Sequence, residues 1–336
     1  MTETRLDELI VGTSAAIREL RDAVRRAAVL GGPVLIQGPT GAGKELVAYG
    51  LHAASGRRGR FVACNAAAIP DGLFETEIMG HVRGAFTGAM RDRQGLIRRA
   101  KHGTLFLDEI GDLHVSAQAK FLRVIDTQEV WPVGADVGEH IDFHLVAATN
   151  VDLVTAERQG RFRKDLLFRL RGIPIFVPAL RDHLEDIGQL STHFVQNAAK
   201  VLNATPMQLT TKAVERLERH DWPGNVRELK QTIEFASFLA EGVRITDAHI
   251  EQALKGNDDR LADLSPVKDL MHRQELSALL TEHSGDVSAV ARALGITRST
   301  AYRRMHRLGL AVPRRGPRIR PVSECGQGDG MIVGGR

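Results

Sequence analysis

The sequence predicts an α/β domain with a mostly parallel sheet, followed by a helical second domain and a small C-terminal all-α module. Three observations carry this. Short apolar runs alternate with helical periods up to about residue 178, only amphipathic helical periods follow, and arginine is concentrated near the C-terminus. The predicted strands are PVLIQ (33–37), RFVAC (60–64), TLFLD (104–108), HLVAAT (144–149) and IPIFV (173–177). Beyond Pro178 the strands are expected to stop, and DHLEDIGQLSTHFVQNAAKVL, TTKAVERLERH and VRELKQTIEFASFLA read as amphipathic helices.

The chain has 336 residues, 43% of them apolar and 26% charged, which is ordinary for soluble protein and long enough for two or three domains. No run approaches the roughly 18 uninterrupted apolar residues of a membrane helix. MTETRLDELI lacks the layout of a secretory signal, and Cys64 with Cys325 are too few for a disulfide framework, so a cytoplasmic location is expected. The formal net charge is only +4, yet residues 284–320 hold nine arginines against the single acid Asp286. A basic module on a balanced chain is the footprint of nucleic-acid contact, although solvated basic tails share it.

The strongest chemical signal follows the first strand. GPTGAGKE comprises Gly38, Pro39, Thr40, Gly41, Ala42, Gly43, Lys44 and Glu45, and fits GxxxxGK between a strand and the helix KELVAYGLHAAS. Its glycines let backbone N–H groups turn toward phosphate oxygens, the helix N-terminus adds its positive dipole end, and Lys44 can reach the β and γ phosphates of ATP. Glu45 stands where the general pattern has Ser or Thr, so Mg2+ must lean on other groups. GTLFLDEIGDL supplies them: Asp108 would hold magnesium through water and Glu109 would polarise the attacking water. The basic run GRFRKDLLFRLRG offers arginines to offset charge developing on the γ phosphate.

HVRGAFTGAM, residues 81–90, reads as neither helix nor strand, and its centre carries no charge. Gly84 and Gly88 allow a loop to rise and fall. An uncharged Phe86–Thr87 tip can press on a partner without desolvating charge.

In the C-terminal module, Ala301, Met305 and Leu308 fall on one helical stripe, with Ser299, Thr300, Arg303 and Arg307 elsewhere. A short helix, DVSAVARAL, precedes it and Gly295 can end that helix, giving a helix-turn-helix. Thr297, Arg298, Thr300 and Arg303 are expected to enter the major groove and Arg304 and Arg307 to meet the phosphates, with Ser299 also counted among the DNA-binding residues.

Together these motifs resemble those of the bacterial enhancer-binding proteins, AAA+ ATPases that activate transcription by sigma-54 RNA polymerase. GPTGAGKE, GAFTGA, GTLFLDEIGDL, AATN, GRFRKDLLFRL and WPGNVREL stand in that family's order and spacing, and the C-terminal module is similar to its Fis-like helix-turn-helix. The resemblance implies a P-loop AAA+ α/β subdomain at 6–178, a helical lid at 179–253, a linker at 254–269, a DNA-binding domain at 270–312 and a disordered tail at 313–336. It further implies that Asn65 restrains Glu109 and that Asn150, ending AATN, reads the γ phosphate. Arg163 and Arg169 would reach a neighbouring subunit's ATP, and Arg227 would contact nucleotide from the lid, with Trp222 and Pro223 ordering the turn before it.

The implied assembly is a hexamer on upstream DNA, of this chain or with a related subunit, whose loops (Gly84, Ala85, Phe86, Thr87, Gly88, Ala89) engage sigma-54. Two residues depart from the family pattern. Val82 and Arg98 replace carboxylates on the flanks of that loop, so coupling there is expected to be rewired. Almost nothing precedes LIVGTSAAIREL, which leads to the expectation that no N-terminal sensing domain is present and that any regulation comes from another protein, from expression level or from co-assembly with a related subunit. Two other classes share many of these motifs: a remodelling ATPase that does not act on sigma-54, and a non-hydrolysing DNA-binding regulator.

Overall fold

The computed structural model describes residues 3–202, 205–240 and 244–260, with 279–280, 286–287, 289–290 and 305. The chain divides into two units, Met1–Asp258 and Asp259–Arg336. In the first, five strands form one parallel sheet: β1 (Val34–Gln37), β2 (Phe61–Asn65), β3 (Thr104–Asp108), β4 (His144–Thr149) and β5 (Ile173–Phe176). Their spatial order is β2-β3-β4-β1-β5. All five coincide with the predicted apolar runs to within a residue; β1, β3 and β4 are buried on both faces and so are apolar nearly throughout, while the edge strands β2 and β5 each expose alternate residues.

Alternate residues of these strands feed two cores. Leu35, Leu105, Leu107, Leu145 and Ala147 pack on one face with Phe121 and Val124 of the helix Val115–Thr127. Val34, Ile36, Phe106, Val146 and Ala148 pack on the other, against the helices Ala15–Leu30 and Lys44–Ala54. Ser14 caps the helix Ala15–Leu30, accepting from the Ile17 N–H, and left-handed Gly31 ends it.

A third core belongs to the helical region and gathers Leu180, Leu190, Leu217, Leu229, Ile233 and Ile250 around buried Trp222. Trp222 donates its indole N–H to the Leu217 carbonyl at 2.9 Å. Here the structure corrects the sequence reading in three places. The strands do not stop at Pro178: Gln208–Leu209 and Arg244–Ile245 pair in parallel. The first predicted helix begins only at Ile187, after two 3-10 turns, Leu180–Asp182 and Leu184–Asp186. The segment expected to be a linker from 254 is helical through its first residues, within Asp247–Arg260.

Buried Asp186 fastens this region to the N-terminal segment, accepting from the N–H groups of Thr13 (2.6 Å) and Ser14 (2.9 Å). Of the C-terminal module, Val287, Val290 and Met305 are described, all helical and buried. Met305 is the centre of the predicted apolar stripe. The DNA-facing residues Thr297, Arg298, Ser299, Thr300, Arg303, Arg304 and Arg307 lie outside the described residues.

At the sheet edge remote from the P-loop, His52 shares its Nδ1 with the Thr104 hydroxyl, and His144 Nε2 meets the Gly32 carbonyl. Burial lowers both pKa values below 6.5, and nearby Arg57 adds to this. Burial likewise lowers His193. A depressed folded pKa gives stability that is complete above the unfolded value and is lost as pH falls toward the folded one. Urea midpoints should therefore fall between pH 7.5 and 5.5, and His144→Asn, which keeps a donor for Gly32, should reduce that dependence. An identical slope in wild type and variant would refute it.

Candidate nucleotide site and loop platform

Parallel register brings the chemical residues to one edge. Asn65 lies opposite Asp108, and Gln37 opposite Thr149, so β1 to β4 all release their chains into the same layer. The P-loop leaves β1 with the Gly38 N–H bonded to the Thr149 carbonyl at 3.3 Å. Gly43, at φ 99, opens the helix Lys44–Ala54. Lys44 is buried and donates its Nζ to the carbonyls of Gly38 (3.1 Å) and Pro39 (3.4 Å). Its ammonium is thus held over the loop where phosphates would lie.

Asp108 ends β3, and its carboxylate accepts the Glu109 N–H at 3.0 Å. Glu109 itself is left-handed, with φ 53, and the buried Oε2 of its side chain has no partner. Burial raises the Glu109 pKa above the ordinary carboxylate range. Lys44 opposes that shift, Asp108 adds to it, and a backbone N–H of Asn150 favours the charged form. Asn150 follows β4 and donates its Nδ2 to the Thr40 hydroxyl at 2.8 Å. Asn65 is exposed at the end of β2, and its side chain makes no hydrogen bond to Glu109.

The turn before the helix Asn225–Leu239 closes on the P-loop. The Arg227 N–H donates to the Gly41 carbonyl (3.1 Å), and Asn225 Nδ2 to the Thr40 carbonyl (3.0 Å). A Cβ on Gly41 would sit 2.3 Å from the Gly224 carbonyl, and its φ is 78, so only glycine fits there. The sequence reading chose Arg227 here and missed Asn225, whose buried, left-handed backbone (φ 54) carries no sequence signal beyond Asn's tolerance of that region.

Arg163 and Arg169 are exposed on and beside the helix Lys164–Leu170. Arg163 forks onto Asp165, and Arg169 pairs with Asp126 at 2.9 Å. Both cations are exposed, each held by a carboxylate of the same unit. Exposed Phe168 lies between them in sequence.

The glycine-rich loop has a short stalk. Contrary to the sequence reading, His81 belongs to a strand, Gly80–His81, paired antiparallel with Arg93–Gln94. At the tip, the Gly84 N–H bonds the Ala89 carbonyl and the Ala89 N–H bonds the Phe86 carbonyl. Phe86 is 44% exposed and rests edge-on against the His81 ring, while Thr87 and Met90 face solvent.

A second hairpin, Glu129–Val130 with Glu139–His140, supports this loop. The Val82 N–H donates to the Val133 carbonyl, and the Val133 N–H to the Gly80 carbonyl. Gly134, at φ 80, lets the hairpin tip approach Ala85 and Val82. The two unusual residues both lie at this junction. Val82 supplies apolar contact, and Arg98 pairs with Glu139 at 2.7 Å beside a Lys101–Glu139 pair at 2.9 Å.

Comparison with known proteins agrees with this arrangement. The chain matches the sigma-54 interaction domain over residues 10–176, the AAA+ ATPase lid domain over 181–265, and the Fis family of bacterial regulatory proteins over 271–308. It is 38% identical over 307 residues to the transcriptional regulatory protein GlrR of Escherichia coli K12, spanning 91% of this chain and 69% of GlrR. The chain belongs to the sigma-54-dependent transcriptional regulators. Its relatives in that family include ZraR of Escherichia coli K12, 38% identical over 301 residues covering 89% of this chain and 68% of ZraR. Solved structures of NtrX from Brucella abortus superpose with TM-scores of 0.67 (ADP complex) and 0.65 (ATP complex). They are 30% and 32% identical, cover 91% and 89% of this chain, and are themselves covered to 72% and 69%. The chain therefore combines a parallel-sheet AAA+ domain, a lid and a C-terminal helix-turn-helix. Among the described residues, no helix is long and apolar enough to cross a membrane.

Within this family member, the Arg98–Glu139 pair is half-exposed and worth about 0.2–1 kcal/mol. Arg98→Glu should speed amide exchange at Val82 and Val133 by up to about fivefold. Adding Glu139→Arg should restore the wild-type rate. Failure of the double exchange to restore it would show that the pair, which ties the helix Leu96–Arg99 to the second hairpin, does not steady the junction.

Proposed function

We propose that this regulator is a ring-forming ATPase that activates transcription by remodelling the sigma-54 RNA polymerase closed complex. It would hydrolyse ATP to ADP and phosphate between subunits while bound to upstream DNA in the cytoplasm. The observation that carries this reading is the coexistence of a P-loop edge holding Lys44, Asp108 and Glu109 with an exposed Phe86–Thr87 tip in one unit. NtrX was solved with ATP and with ADP, which supports nucleotide binding at the equivalent edge here.

In this reading the amides of Gly38–Glu45 cradle the phosphates and Lys44 exchanges its carbonyl partners for the β and γ oxygens. Asp108 would hold Mg2+, which would supply charge neutralisation at the phosphates. One carboxylate beside phosphate oxygens suits magnesium, which keeps several waters and needs few protein ligands, and so accommodates Glu45 in place of a hydroxyl. Glu109 orients and deprotonates the attacking water; its buried, unpaired oxygen is free to accept that hydrogen bond.

Asn65 would restrain Glu109 and Asn150 would sense the γ phosphate, while Arg227 approaches nucleotide from the lid. Arg163 and Arg169, both exposed, would reach the ATP of the adjacent subunit, whether that subunit is this chain or a relative. Gly84–Gly88, with Phe86 and Thr87 at the tip, would form the surface that engages sigma-54, whereas Ala89 is buried and closes the loop through its bonds to Gly84 and Phe86; Thr297–Arg307 would form the DNA surface.

The test is open-complex formation on a sigma-54 promoter with ATP. Glu109→Ala should bind ATP but hydrolyse it at least about a hundredfold more slowly. Thr87→Ala should hydrolyse ATP yet open no promoter. Normal opening by both variants would overturn the proposal, and wild-type hydrolysis without any effect at sigma-54 promoters would favour a remodelling ATPase with another target. Because burial raises the Glu109 pKa and the base must be ionised, hydrolysis should fall on acidification earlier than an ordinary glutamate would require.

A further inference from the structure

We propose that Thr40 is a positioning residue that links γ-phosphate sensing at Asn150 to the lid through Asn225. The inference rests on the ATPase reading and goes beyond it, because it assigns a route by which the lid learns which nucleotide is bound. Thr40 is the meeting point of two hydrogen bonds from different elements. Its hydroxyl accepts from Asn150 Nδ2 at 2.8 Å, and its carbonyl accepts from Asn225 Nδ2 at 3.0 Å. Asn225 continues the chain: its Oδ1 accepts the Leu180 N–H at 2.9 Å, at the first turn of the lid.

Asn225 is over-determined for this task. It is buried, its backbone is left-handed, and its amide group bonds the P-loop with one end and Leu180 with the other. The contact beside it is rigid, since Gly41 has no room for a Cβ beneath the Gly224 carbonyl and the Arg227 N–H bonds the Gly41 carbonyl. Thr40 and Gly41 therefore cannot shift without moving the turn at residues 222–227.

The switch lies at the other end. A phosphate oxygen is a charged acceptor and forms a stronger hydrogen bond than a neutral hydroxyl. A γ phosphate draws the Asn150 amide away from Thr40; ADP leaves the Asn150–Thr40 bond in place. The freed Thr40 hydroxyl turns to a phosphate or to water, the loop backbone adjusts, and Asn225 carries the adjustment to Leu180. The lid thus distinguishes ATP from ADP without itself touching the γ phosphate.

The experiment uses the full chain and measures amide exchange over residues 180–186 and 225–229 with ADP or with a non-hydrolysable ATP analogue. Affinities for both nucleotides are measured alongside. Wild type should show different lid exchange with the two nucleotides. Thr40→Val, which removes the acceptor for Asn150, should show the same lid exchange with both when each nucleotide is present at a concentration that saturates the variant. Asn225→Asp keeps an acceptor for Leu180 and tolerates the left-handed backbone, yet cannot donate to Thr40, and should lose the difference too.

Thr40→Ser retains the hydroxyl and should behave as wild type. Thr40→Val and Thr40→Ser should keep the nucleotide-free unfolding midpoint, which separates loss of the link from loss of the fold; Asn225→Asp sets a buried carboxylate against the Thr40 and Pro223 carbonyls and should lower it. A wild-type difference persisting in Thr40→Val, or loss of it in Thr40→Ser, would overturn the proposal. Wild-type hydrolysis with identical lid exchange in both nucleotides would sink the link alone; a wild type that binds neither nucleotide would sink the ATPase reading as well.

Discussion

Register between the parallel strands is the constraint on which the rest of the molecule depends. Asn65 opposite Asp108 and Gln37 opposite Thr149 place the ends of β1 to β4 in one layer, although the paired residues stand 43 and 112 positions apart in the chain. A slip of one residue between β3 and β4 would turn Phe106 and Leu105 to the wrong faces. It would also carry Asp108 and Glu109 out of reach of Lys44. The apolar faces that stabilise the sheet thus fix the position of the charged edge, and neither can be altered alone.

The polar groups along that edge bond one another. Lys44 bonds the carbonyls of Gly38 and Pro39, and Asn150 bonds Thr40. Each of these bonds occupies a donor that phosphate chemistry would use, so a nucleotide exchanges existing partners rather than filling unmet ones. The cost of the exchange is small because phosphate is the stronger acceptor. Glu109 is the exception: its buried oxygen is unpaired, and its charge is favoured chiefly by Lys44 against the burial that raises its pKa. A group held this way is reactive because its surroundings do not fully solvate it.

The sheet strands and the P-loop were legible in the sequence because each is a local pattern: a continuous apolar run, or glycines at set spacing before a helix. The three two-residue strand pairs were not. Gly80–His81, Glu129–Val130 and Gln208–Leu209 are too short for any periodicity, and they exist only because a partner segment lies alongside. Left-handed Glu109, Trp222 and Asn225 were equally hidden, since a positive φ at a non-glycine residue is imposed by tertiary contacts. Asn225 shows the difference most clearly. It stands inside a motif that was noticed, yet its bonds to Thr40 and Leu180 bridge residues 185 and 45 positions away.

The loop platform shows how a departure from a family pattern is absorbed. Arg98 puts a cation where the pattern has a carboxylate, and Glu139 on the opposing hairpin supplies the anion. Val82 removes another charge and instead packs where Gly134 admits the hairpin tip. The junction is therefore held by a backbone ladder, an apolar contact and a half-exposed ion pair, with no buried charge to desolvate. The hairpin leads directly into β4, whose far end carries Asn150, and the Ile141 N–H is tied to the Gln128 carbonyl at its base. A stiff, fully buried strand thus separates the nucleotide edge from the hairpin that seats Phe86 and Thr87. Movement of the second hairpin relative to the nucleotide edge must be taken up between Gln128 and Phe143, since β4 is bonded on both sides and cannot bend to absorb it.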